Sequence, residues 1–196
     1  MEEVHQLGES IEQSTTQVTK LLDNLLNWAL VQKGRFPYHP DSHNVHSIVQ
    51  EMCDVYQTTA DLKNISLVNL TIADHQAYID RNALSTVVRN LIDNAMKFTN
   101  AFGKIQIESR LKEDELSLII LDSGSGISPE VLAHIFEFST DRKKIIKGTG
   151  LGLILCKDLI EMNKGNITVE SELEKGTTFT IKIPKSKVEV QNEAAF

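Results

Sequence analysis

Two asparagines and a lysine, Asn90, Asn94 and Lys97, recur at steps of four and three within residues 80–98 (DRNALSTVVRNLIDNAMKF). On a helix such steps gather side chains on one flank. Amide oxygens are hard ligands, suited to a magnesium ion that keeps part of its water and shares substrate phosphates. A lysine one turn away can neutralise the same phosphates as a point charge. Taken alone, the three also describe a solvated polar flank. Three segments downstream reverse that preference. Ile119-Ile120-Leu121 runs into Asp122-Ser123-Gly124-Ser125-Gly126-Ile127, Gly148-Thr149-Gly150-Leu151-Gly152 opens a helical pattern, and Gly176-Thr177 forms a turn entering a strand. Glycines at a helix N-terminus leave backbone amides and the positive dipole end open to an anion. A dinucleotide-binding reading of Gly148–Gly152 fails, because a charged loop precedes it instead of a strand. A P-loop reading fails for want of Gly-Lys-Ser/Thr.

The elements that must hold these groups can be read from periodicity. In 80–98, Leu84, Val87, Val88, Leu91, Ile92, Ala95 and Phe98 form an apolar stripe beside the polar flank, which predicts a core helix. Residues 104–111 and 116–122 alternate as a hairpin that delivers Asp122 at its end, and 166–171 with 177–183 form a second hairpin. Short strands are expected at 66–72 and 76–79, an extended piece at 36–40, and amphipathic helices at 44–61 and 151–163. Ser128-Pro129-Glu130 opens a short helix that ends at Ile135-Phe136-Glu137-Phe138. Residues 139–147 carry no periodicity and include the basic cluster Arg142-Lys143-Lys144 and Lys147; we read Phe138 to Thr149 as a lid. Residues 9–33 make one long helix with a near-heptad stripe, stopped by Gly34.

A net charge of −7 over 196 residues argues against a nucleic-acid binder. Cys53 and Cys156 have no metal spacing and suit a reducing compartment as small core residues. His39, His43 and His46 lack carboxylate or cysteine partners, so they read as surface histidines and not as a metal site. No apolar run is long enough to span a membrane, and no membrane contact is expected of this segment.

In order, Asn90-x-x-x-Asn94, Asp122-x-Gly124-x-Gly126, Gly148-x-Gly150-x-Gly152 and Gly176-Thr177 resemble the four nucleotide-binding boxes of sensor histidine kinases, with Phe136-Glu137-Phe138 similar to their phenylalanine box. The resemblance implies an α/β fold, a two-layer sandwich of about five strands with three helices on one face. It also implies ATP and Mg2+ as cofactors. Asn90 and Asn94 would hold the metal, with Asn90 and Lys97 the catalytic residues. Asp122 would accept from adenine's amine, since a carboxylate accepts and cannot donate. Gly124, Gly126, Ile127, Phe138, Lys147, Gly148, Thr149, Gly150, Leu151, Gly152 and Thr177 would complete the nucleotide site. The expected layout is a partial dimerisation helix at 1–35, a catalytic ATP-binding domain at 36–184 and a polar tail at 185–196. The implied partners are a response regulator receiver domain and a second copy joined through the N-terminal helix, in the cytoplasm. No histidine here is followed by an acidic residue, so the phosphoacceptor is expected upstream of Met1. Two alternatives use the same residues: an ATP-hydrolysing clamp of this fold, and a catalytically silent nucleotide-sensing module.

Overall fold

The structure, a computed structural model, describes residues 2–137 and 151–185. Helix α1 (Glu2–Gln32) leads to strand β1 (Pro40–Asn44), helix α2 (Val45–Leu62), strands β2 (Ser66–Leu70) and β3 (Gln76–Asp80), and helix α3 (Arg81–Phe98). The hairpin β4 (Lys104–Lys112) and β5 (Glu115–Asp122) follows, then the one-turn α4 (Pro129–Leu132), α5 (Leu151–Met162), and the hairpin β6 (Asn166–Glu172) and β7 (Gly176–Pro184). Five strands form a mixed sheet in the order β2-β4-β5-β7-β6, parallel between β2 and β4 and antiparallel elsewhere.

Alternation along the strands makes the two layers. Ile105 and Ile107 of β4, Leu116, Leu118 and Ile120 of β5, and Phe179, Ile181 and Ile183 of β7 join one buried cluster. The helices complete it with Ile48 and Val49 of α2, Leu84, Val87, Leu91 and Ile92 of α3, and Leu155 and Leu159 of α5. Intervening positions such as Gln106, Glu108, Thr180 and Lys182 reach the other, partly solvated face. The expected α/β sandwich, with three helices on one face of a five-stranded sheet, is the fold of this chain.

Local expectations change at the first strand and at the first helix. The strand near the first prolines is Pro40–Asn44, beyond the extended piece expected at 36–40, and it pairs antiparallel with β3 in a separate two-stranded sheet. Its sequence PDSHN has no alternation, so only the partner strand defines it. The successive strands β2 and β3 do not pair with each other. Helix α1 begins at Glu2, well before the apolar stripe that starts at Ile11.

The N-terminus of α3 is fixed on several sides at once. Asp80, 2% exposed, caps the helix by accepting from Ala83 N at 2.9 Å and from His39 N at 2.8 Å. Its own N–H donates to Asn163 Oδ1 at 2.8 Å, and Asn163 Nδ2 donates to Leu159 O of α5. One residue thus joins the approach to β1 and the start of α3 by its carboxylate, and the residue after α5 by its N–H. Asp80→Ala removes a cap and an acceptor for a second amide, and should cost about 2–4 kcal/mol in urea unfolding. A loss under about 1 kcal/mol would show that water replaces both contacts.

Candidate functional site

Helix α3 touches two of the three glycine segments. Its middle meets the start of α5: a β-carbon on Gly152 would lie 2.9 Å from Asn90 Oδ1. Its end meets the loop after β5, where Ser125 N donates to Phe98 O at 3.1 Å. From residue 90 to residue 98 the helix rises about 12 Å at 1.5 Å per residue. That distance suits a mononucleotide laid along the helix with its base at one end and its phosphates at the other.

In the middle of α3, Asn90 is buried and its amide is oriented from both sides. Nδ2 donates to Thr86 O at 2.9 Å, and Oδ1 accepts from Asn24 Nδ2 of α1 at 3.4 Å. Asn94 is half-buried and Lys97 exposed, its ammonium 5.1 Å from the Phe98 ring centre. Leu151 and Gly152 are the first described residues of α5. Phe138, Lys147, Gly148, Thr149 and Gly150, and with them the lid, lie outside the described residues.

Near the C-terminal end of α3, Asp122 Oδ1 accepts from Gly124 N at 2.9 Å. Burial pushes the Asp122 carboxyl above its ordinary value, while hydrogen bonds from the Gly124 and Thr177 backbones pull it back. The glycines here are required by the chain's own packing. Gly176 stands at φ +110°, where its β-carbon would collide with Asp122 O; Gly126 stands at φ +68° against Glu172 O. A β-carbon on Gly124 would come within 2.6 Å of Phe98 O. Access for a ligand is therefore not their only physical reason.

Sequence reasoning missed two polar groups. Ser171 Oγ accepts from Ile127 N at 2.9 Å, donates to Gly176 O at 2.8 Å and lies 3.0 Å from Thr177 Oγ1, so it ties the loop after β5 to the β6–β7 turn. An alternating strand gives no sign of that role. Asn24 was legible in principle, since Asn24, Trp28 and Gln32 follow at steps of four along the helix. A cleft of about 400 Å3 between β5, β7 and the β6 end includes Asp122 and Thr177 in its lining but none of Asn90, Asn94 and Lys97. It opens where Leu121 and Thr178 point, away from the helices, and is not the seat along α3.

The histidines expected at the surface do not converge. His46 Nδ1 lies 3.0 Å from Thr71 O, and no cluster of potential metal-binding side chains occurs among the described residues. Both cysteines are buried, and burial together with Asp54 pushes the Cys53 thiol up to about 11. No helix of the described residues is long and apolar enough to cross a membrane.

Residues 79–187 match the family described as histidine kinase-, DNA gyrase B-, and HSP90-like ATPase. The sensor protein SrrB of Staphylococcus aureus is 34% identical over 173 residues, covering 86% of this chain and 30% of SrrB. The chain thus spans about a third of the length of the curated relatives it matches. Among solved structures, the catalytic domain of the histidine kinase ThkA is 30% identical with a TM-score of 0.66, covering 75% of this chain and 96% of that one. ThkA in complex with the response regulator protein TrrA aligns at a TM-score of 0.74 and 26% identity, over 92% of this chain and 52% of that one.

Asp122 sets a pH dependence of stability. Its folded-state value lies above the ordinary 3.8, so folding disfavours the charged form. That cost is fully present above the raised value and is relieved as pH falls through it toward 3.8. Relative to Asp122→Asn, the parent should therefore gain stability on acidification through this window, as read by urea unfolding. A parent-minus-variant difference that is flat with pH would mean that the two backbone donors cancel burial.

Proposed function

The chain belongs to the histidine kinase-, DNA gyrase B- and HSP90-like ATPase family as a histidine kinase catalytic domain, and we propose that it binds magnesium-ATP for phosphoryl transfer to a histidine. The acceptor histidine would lie outside these residues, because none of the six here is followed by an acidic residue. The phosphoryl group would pass on to a response regulator receiver domain, as the pairing of ThkA with TrrA suggests. The observation that carries this reading is the placement of Asn90 beside Gly152 and of Phe98 beside Gly124 and Ser125 along one helix.

In this reading Asp122 accepts a hydrogen bond from adenine's amine, and Thr177, Ile127, Gly124 and Gly126 shape the wall around it. Asn90 and Asn94 offer amide oxygens to the cation. Such oxygens fit magnesium's preference for hard ligands, and Asn90 Oδ1 is held in place from two sides. A magnesium ion held by these amides would supply positive charge to offset that of the phosphates. Lys97, Lys147 and the amides of residues 148–152 serve the same phosphates, and Phe138 to Thr149 closes over them. The hydrolytic clamp is disfavoured on chemical grounds. An amide at Asn90 cannot take a proton near neutral pH, whereas the resemblance places a glutamate there in ATPase relatives. The exposed apolar side chains Ile11, Val18, Leu22, Leu25 and Leu26 of α1 suit the seam of a homodimer. A cytoplasmic location follows from the substrate, ATP.

Two outcomes test the proposal. Asp122→Ala should weaken ATP binding about tenfold or more, the loss of one charge-assisted hydrogen bond. Parent affinity should also fall on acidification through the raised Asp122 value, because the protonated acid is the poorer acceptor. Equal affinity in titration calorimetry would remove the adenine assignment.

With γ-labelled ATP and magnesium, residues 1–196 should bind nucleotide and acquire no acid-labile phosphate. A chain extended upstream through a preceding helix with a histidine-acidic pair should be labelled. Labelling of residues 1–196 that disappears in His5→Gln would overturn the placement of the acceptor.

A further inference from the structure

We propose that Asn24 of α1 is a positioning residue for the cation at Asn90, holding that amide by its N–H and accepting from a water of the hydrated ion by its carbonyl. The inference rests on the reading of Asn90 as a cation ligand. It begins from an inversion of the usual burial pattern. On α1, Leu22, Leu25 and Leu26 are 61%, 46% and 60% exposed, whereas Asn24 between them is 5% exposed. An amide is costly to bury without partners, and a leucine is not. The stripe that faces the rest of the chain runs through Asn24, Trp28 and Gln32, one turn apart. Trp28 packs against the core, and Gln32 Nε2 donates to Asp158 Oδ2 of α5 at 2.9 Å.

The Asn24 amide lies where three helices meet. Its Nδ2 is 3.4 Å from Asn90 Oδ1 and would be 3.7 Å from a β-carbon on Gly152 at the start of α5. The orientations are mutually fixed. Turning Asn90 over would set its carbonyl against Thr86 O, and turning Asn24 over would set two carbonyl oxygens together. In the arrangement that remains, Asn24 Oδ1 is buried and has no hydrogen-bond partner among the described residues. A buried acceptor of this kind calls for a donor. Magnesium retains several of its waters, and bound waters present only hydrogens outward. Asn90 Oδ1 has two lone pairs, enough for the Asn24 amide and the ion together. An asparagine suits position 24 because it can donate to one oxygen while accepting from the water; an aspartate could do only the second.

The test is a magnesium titration of the full chain at a fixed concentration of a non-hydrolysable ATP analogue, beside binding of the same analogue without metal. Asn24→Ala should raise the half-saturating magnesium concentration about tenfold, the usual scale for an outer-shell partner, and leave metal-free binding within about twofold. Asn24→Asp keeps the acceptor but loses the donor to Asn90, and should restore only part of the magnesium response. Gln32→Ala loosens the same face of α1 without touching Asn90, and should titrate as the parent. The proposal is overturned if Asn24→Ala titrates as the parent or loses metal-free binding equally, if Asn24→Asp titrates no better than Asn24→Ala, or if Gln32→Ala reproduces the loss. A parent that shows no magnesium dependence would instead sink the cation reading of Asn90, and this inference with it.

Discussion

The structure depends on α3 being unable to turn about its own axis. Ala83, Leu84, Val87, Val88, Leu91, Ile92, Ala95 and Met96 are buried along it, and a rotation by one residue would carry several of them into water. At its N-terminus Asp80 is held by three partners, so sliding is blocked as well as turning. A flank beside such a stripe inherits that rigidity. Asn90 and Asn94 therefore stand at fixed azimuths without a network of their own, and only Asn90 needs trimming, by Thr86 and Asn24.

The base end is organised differently, by backbone and not by a helix face. The strand β5 ends at Asp122 because the chain must turn there, and Gly124 and Gly126 permit it to pass against Phe98 O and Glu172 O. Burial raises the free energy of the Asp122 charge while two backbone amides lower it, leaving an acceptor that is strained toward protonation. A ligand donor would relieve that imbalance. Ser171 holds the facing strand in register with this loop, so the wall of the site is set by the same sheet that makes the core.

Helix α1 has an exposed apolar face and a face docked on the rest of the chain. Its leucines face away from the described chain, while Asn24, Trp28 and Gln32 face inward to α3 and α5. A helix docked by that inward stripe on α3 and α5 can transmit its position directly to Asn90. The transmission needs no long path, since Asn24 touches Asn90 itself.

Much of this was fixed by local pattern. The period of three and four in 80–98, the alternation in both hairpins, and the order of the asparagine, aspartate and glycine motifs are properties of neighbours in the chain, and they specified the sandwich and the residues to inspect. Local pattern was silent where a partner distant in sequence supplied the reason. Strand β1 exists because β3 pairs with it, Ser171 matters because Ile127 and Gly176 lie beside it, and the burial of Asn24 depends on α1 docking against helices that begin more than fifty residues later. Hydrogen bonds across such separations leave no period in the sequence, because their geometry is created only when the core closes. The sequence determined which groups could bind a nucleotide; the tertiary structure decided which of their lone pairs are held, shared or left open.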